Sequence, residues 1–111
     1  MIIVGGSFDV DPEQRDEFVA ERHAAMRQSR AEEGCLDYVF SADPLEPRRV
    51  ILFERWTTQE ALDAHLHRLR TETPVAPAVP ALKASVVFYN AEVHAPTNLG
   101  RTASAASAAD A

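Results

Sequence analysis

The residue in this sequence best placed to do chemistry is His65. Leu62, His65, Leu66 and Leu69 fall at i, i+3, i+4 and i+7, which sets His65 in the middle of the core-facing stripe of a helix. A histidine there is either a core residue hydrogen-bonded to a neighbour, or a base and donor facing a cavity. Spacing alone favours the core reading. His67, two positions on, points to another side of the helix, so the two do not make a metal pair. Glu54 and Trp56 share a strand face with Leu52, the inward one. Trp56 offers an apolar wall with one N–H donor, suited to an aromatic ligand or simply to core packing. A buried Glu54 needs a partner or a raised pKa, and Arg22, or Arg55 after a register slip, are the candidate partners. Tyr38 shares a face with Leu36 and Phe40, and its hydroxyl must bond either a ligand oxygen or the backbone.

Two further polar residues read as structural. His23 borders the apolar side of the first helix, and Cys35 has no base beside it in sequence and reads as a buried, inert thiol. Gly5-Gly6 is not followed by either phosphate-cradling glycine pattern, and no Gly-x-Ser-x-Gly, His-Glu-x-x-His or Cys-x-x-Cys occurs. The Pro74, Pro77, Pro80 run reads as a stiff connecting loop.

The elements that must position these side chains alternate in a definite order. Ile2 to Phe8 is β-rich and closes on the turn signal Asp9-Val10-Asp11-Pro12. Asp11 is the expected N-cap of a helix that Pro12 opens and Gly34 stops, running to about Glu33, with Phe18, Val19, Ala25 and Met26 on its apolar side. Leu36 to Ser41 alternates, Asp43 to Pro47 turns, and Val50 to Trp56 is the next strand. Thr57 and Glu60 read as a capping box for a second helix to about Arg70. Ser85 to Val93 is the last strand. The order βαββαβ predicts an α+β, ferredoxin-like fold, a four-stranded antiparallel sheet with two helices on one face. Val39, Ile51, Phe53 and Val87 then fall on the opposite face and are too apolar for water, so a homodimer through the sheets is expected.

Composition sets the outer limits. The chain has 111 residues, enough for one domain, and 17 acidic against 11 basic residues give a net charge of −6. That balance argues against a nucleic-acid partner and against docking on anionic membranes. One cysteine excludes an internal disulfide framework. No apolar run approaches the ~20 residues of a membrane span, and the start lacks a basic n-region, so a cytoplasmic location is expected. Residues 1–94 form the predicted domain. Residues 95–111 are rich in Ala and Ser, with Leu99 as their one large apolar residue, and read as a disordered extension.

Read together, Glu32-Glu33-Gly34-Cys35-Leu36-Asp37-Tyr38, Phe53-Glu54-Arg55-Trp56-Thr57, Glu60-Ala61-Leu62 and His65 resemble the antibiotic biosynthesis monooxygenase domain. The resemblance runs in order through residues 1–94. It implies a dimeric α/β barrel of two ferredoxin-like protomers, each with a pocket between helices and sheet. The family's Glu-x-Trp, helix histidine and tyrosine map onto Glu54, Trp56, His65 and Tyr38. It implies a cofactor-independent oxidation of a phenol or hydroquinone to a quinone by O2, with no cofactor and no metal. In that reading His65 is the catalytic residue, and Tyr38, Trp56 and Glu54 bind a small aromatic substrate. Two alternatives are a non-catalytic domain that binds a small aromatic ligand and dimerises, and a haem-degrading monooxygenase using His65 or His23 as axial ligand. The asparagine and arginine used by the polyketide-oxidising relatives have no counterpart here.

Overall fold

The computed structural model describes residues 1–72 and 76–94. Pro74, one of the three prolines of the stiff loop, and the 95–111 extension lie outside the described residues. Four strands, β1 (Ile2–Asp9), β2 (Cys35–Ala42), β3 (Arg49–Trp56) and β4 (Lys83–Asn90), form one antiparallel sheet in the order β2-β3-β1-β4. Helices α1 (Arg15–Ala20) and α2 (His23–Arg30) follow β1, and α3 (Gln59–Thr71) follows β3. This is the ferredoxin-like α+β plan expected from the order of periodicities. No described helix is long and apolar enough to cross a membrane.

The period-two pattern of each strand sends one set of side chains to the helices. Ile2 and Val4, Tyr38, and Val50, Leu52, Glu54 and Trp56 are all buried on that face. Phe18 from α1, Met26 from α2 and Leu62 from α3 close over them. Phe8, Val19 and Phe40 pack against both halves of this core, with the Phe8 ring 6.0 Å from Phe18 and 5.6 Å from Phe40. Asp11 caps a short 3-10 turn, Pro12–Gln14, its carboxylate accepting from Glu13 N at 2.9 Å, while α1 itself begins after Gln14 without a side-chain cap. Val79, from the loop ahead of β4, is buried beside Val10, Phe18 and Val50, and Glu21 holds the backbone N–H of Ala78 and Val79 at 2.9 and 3.2 Å.

Several local expectations are corrected. The single long helix is three pieces, the 3-10 turn Pro12–Gln14, then α1, which closes at Glu21, and α2, which restarts at His23 and ends at Arg30, short of Glu33. The cap of α3 is Thr58, whose hydroxyl accepts from Ala61 N at 3.1 Å, not Thr57. The register of β2 shifts between Cys35 and Asp37, which turns Leu36 out to solvent and out of line with Tyr38 and Phe40. Leu69 is exposed as well; the buried residues of α3 are Leu62 and His65, earlier on the same stripe. The last strand spans Lys83–Asn90 rather than 85–93.

Val39 and Phe53 pair on the outer face, with Ile51, Val87 and Tyr89 on the same side; Phe53 is 38% exposed and Val87 43%. No residue of β4 is buried on either face, because the helices stop short of it.

Candidate functional site

The sheet and α3 meet where β3 ends, and four of the side chains singled out from sequence converge there. Glu54 and Trp56, two apart on β3, both point to the helices, and the indole Nε1 donates to Glu54 Oε1 at 2.8 Å. His65 drops from α3 onto the other side of that indole, with ring centroids 4.7 Å apart. Tyr38, beside Glu54 in the β2–β3 register, meets the His65 ring edge-on at 5.4 Å. Trp56 is fully buried and His65 is 2% exposed. The stripe spacing of α3 and the strand alternation of β3 are therefore enough to build the cluster.

The expected partners of Glu54 are corrected. Arg22 lies over the Phe18 ring and donates to Phe18 O, and Arg55 pairs with Asp37 on the outer face. The Trp56 N–H takes their place. It needs no register slip, because residues i and i+2 of a strand are neighbours on one face. His23 and His67 are exposed and stand apart from the cluster. Cys35 is half-buried, and burial, reinforced by the Glu54 charge, pushes its thiol up, away from thiolate chemistry.

Two residues without a role in the sequence reading complete the site. Glu32, in the turn before β2, accepts from His65 Nδ1 at 2.6 Å through Oε1 and from Arg68 Nε through Oε2. Arg68 also donates to both carboxylate oxygens of Glu72 at 3.0 Å. Burial alone raises the Glu32 carboxyl, but the hydrogen bonds from Arg68 and His65 outweigh it, and Glu32 stays below the usual carboxylate range. The sequence signal was there. His65 and Arg68 are i and i+3, so one carboxylate can reach both.

The other acids of the cluster go the opposite way. Desolvation, with the Glu54 charge adding to it, pushes Tyr38 up to about 12, so it remains a protonated donor; the nearby Ser29 hydroxyl only partly offsets this. Desolvation also raises Glu54, against the stabilising Trp56 hydrogen bond. For a carboxyl raised on folding, the native state holds more protons than the unfolded chain between the two pKa values, so stability falls as pH rises through that window. Glu54→Gln removes this loss. Its melting temperature relative to wild type moves in favour of the variant between pH 4 and pH 8, as read by thermal denaturation at each pH.

A cleft of about 470 Å³ opens against His65 and Glu32, walled by Gly34, Thr57, Thr58, Ala61 and Ala64, with Glu33 and Glu60 also lining it. His65 is the one member of the predicted quartet that borders it; contact of Tyr38, Trp56 or Glu54 with a ligand requires the cluster to open. At the wall of the cleft, glycine at residue 34 lets the turn before β2 approach α3 closely. Gly34 has φ +83°, and a Cβ there would lie 2.5 Å from Ala61 Cβ and 2.8 Å from Thr57 Oγ1. Gly34→Ala costs about 1–3 kcal/mol through that clash and the left-handed backbone, measurable by urea unfolding.

The sequence model of the antibiotic biosynthesis monooxygenases matches residues 1–72, the stretch that carries this whole cluster. The chain belongs to that family. It is 34% identical over 85 residues to sll1783, an uncharacterised protein of Synechocystis, covering 72% of this chain and 58% of that protein. It thus spans somewhat more than half the length of that relative. A member from Deinococcus radiodurans has the same fold with a TM-score of 0.67 and 20% identity, covering 87% of this chain and 98% of that one. MhuD of Mycobacterium tuberculosis, a haem degrader with two haems in its active site, matches with a TM-score of 0.64 and 13% identity over 86% of this chain and 100% of its own. At these identities the structural likenesses establish the fold.

Proposed function

We propose that the protein is a cofactor-independent monooxygenase of the cytoplasm that converts a phenolic or hydroquinone substrate to a quinone with O2. One observation carries this reading: a buried histidine, held by a carboxylate at Nδ1, borders the cleft with its other nitrogen unclaimed by any described residue. His65 takes the phenolic proton as general base, through the nitrogen that Glu32 leaves free. The phenolate is electron-rich enough to reduce O2 at a ring carbon, forming a C–O bond to a peroxide. Loss of that carbon's proton and cleavage of the O–O bond leave the quinone oxygen and one water. Tyr38, kept protonated, donates to a substrate oxygen, and Trp56 and Glu54 frame the ring once the ligand opens the cluster.

The test is oxygen uptake with a panel of hydroquinones and anthrones, after subtraction of spontaneous oxidation. Uptake above background supports the reading. Ligand binding without uptake replaces it with the aromatic-binding domain, and a Soret shift on haemin titration replaces it with haem chemistry.

The working unit in this proposal is a homodimer joined through the outer sheet face. The exposed Phe53 and Val87, with the partly buried Val39 and Ile51 beside them, supply an apolar patch that water does not stabilise. Phe53→Arg places a charge in that interface, and light scattering should then return the mass of one chain where wild type returns two.

A further inference from the structure

We propose that Glu32 is a positioning residue that holds His65 in the tautomer with its proton on Nδ1, so that Nε2 always presents a lone pair. The structural half of this proposal stands on geometry alone; its consequence for turnover rests on the reading of His65 as the base.

The tautomer of a buried histidine is set by what faces each nitrogen. Glu32 Oε1 lies 2.6 Å from Nδ1, and an ionised carboxylate can only accept, so Nδ1 must carry the proton. Arg68 keeps Glu32 ionised and fixed by occupying Oε2, and is itself held by Glu72 and by Ser29 at 3.4 Å. The remaining polar groups around the ring do not compete. The Trp56 N–H is committed to Glu54, Glu54 offers only acceptors when ionised, and the Tyr38 ring meets the imidazole edge-on with no described hydrogen bond from its hydroxyl to the ring. Nothing described donates to Nε2. When Nε2 takes a proton, the ring stays in contact with the Glu32 carboxylate through Nδ1.

Glu32→Gln is the informative variant, because Arg68 also needs an acceptor. The amide oxygen turns to Arg68, the stronger donor, and leaves the NH2 facing Nδ1. The ring must then shift its proton to Nε2 and lose its base. The change is nearly isosteric, so the fold remains while the proton moves.

The experiment is nitrogen-15 NMR of the imidazole of His65 at pH 8, assigned by comparison with His65→Gln. In wild type the expected spectrum has a protonated Nδ1 and an unprotonated Nε2. In Glu32→Gln the two signatures exchange, and any uptake of oxygen drops about 10²-fold or more in kcat with little change in KM. A wild-type ring protonated on Nε2, or on both nitrogens at pH 8, overturns the proposal, as does a Glu32→Gln spectrum identical to wild type. If Glu32→Gln does not fold, the wild-type spectrum still decides. A wild type with the expected tautomer but no oxygen uptake upholds this proposal and rejects the oxygenase reading instead.

Discussion

His65→Ala is expected to lower oxygen uptake about 10²- to 10⁴-fold, the span that a positioned general base contributes. The alanine variant alone does not isolate the chemistry. The imidazole is packed between the Trp56 and Tyr38 rings, and its removal leaves a void of the kind that costs about 2–5 kcal/mol in a core. His65→Gln separates the two effects. Glutamine fills most of the space and its amide NH2 can still donate to Glu32, so folding is largely preserved, yet it has no basic nitrogen. Loss of uptake in both variants, with the melting temperature held in His65→Gln, assigns the proton transfer to the imidazole. Uptake retained in folded His65→Gln moves the base elsewhere, and Glu54, raised by burial, becomes the next residue to test.

The difference between what the sequence shows of this site and what it hides follows from the range of the interactions. The stripe Leu62, His65, Leu66 and the alternation Leu52, Glu54, Trp56 are local periodicities, and each names the buried face without knowledge of the partner. Their failures come from what such counts leave out. Leu36 is turned outward by an irregularity in β2, which a count of alternate residues cannot see. Leu69 obeys the helical stripe and is 47% exposed, because what covers each turn of α3 is set by tertiary packing and not by the spacing. Glu32 shows the same limit in a functional residue. It lies 33 positions from His65, and only the packing of the turn between α2 and β2 against α3 brings its carboxylate to Nδ1. The sequence carried half of that contact, in the i, i+3 spacing of His65 and Arg68, but neither residue specifies which of the many acids answers them. The candidate ion pairs of Glu54 do not form for the converse reason: an indole N–H two residues along the same strand face satisfies the carboxylate, and burial raises it as the alternative expected.

Trp56→Ala should be the most destabilising single change in the molecule. The indole is fully buried, and truncating a core aromatic costs about 3–5 kcal/mol. Its N–H is also the hydrogen-bond donor to Glu54, and a buried acceptor left without its donor adds about 1–3 kcal/mol. Small domains hold about 5–15 kcal/mol in all, so the variant loses much or most of its stability. Trp56→Phe resolves the sum, since it keeps most of the apolar volume and removes only the donor, for about 1–3 kcal/mol. Adding Glu54→Leu to Trp56→Phe removes both polar partners together, and the double variant should recover most of that loss. Trp56 is the one tryptophan in the chain, so these variants have no indole fluorescence and unfolding must be followed by circular dichroism in urea. A loss below about 1 kcal/mol in Trp56→Ala would sink the account of Trp56 as a core anchor. It would mean that the indole leaves its packed position at little cost, and so is free to meet a ligand in the cleft. A stable Trp56→Phe/Glu54→Leu protein that no longer turns over substrate would locate the loss in the indole and carboxylate themselves, apart from their packing.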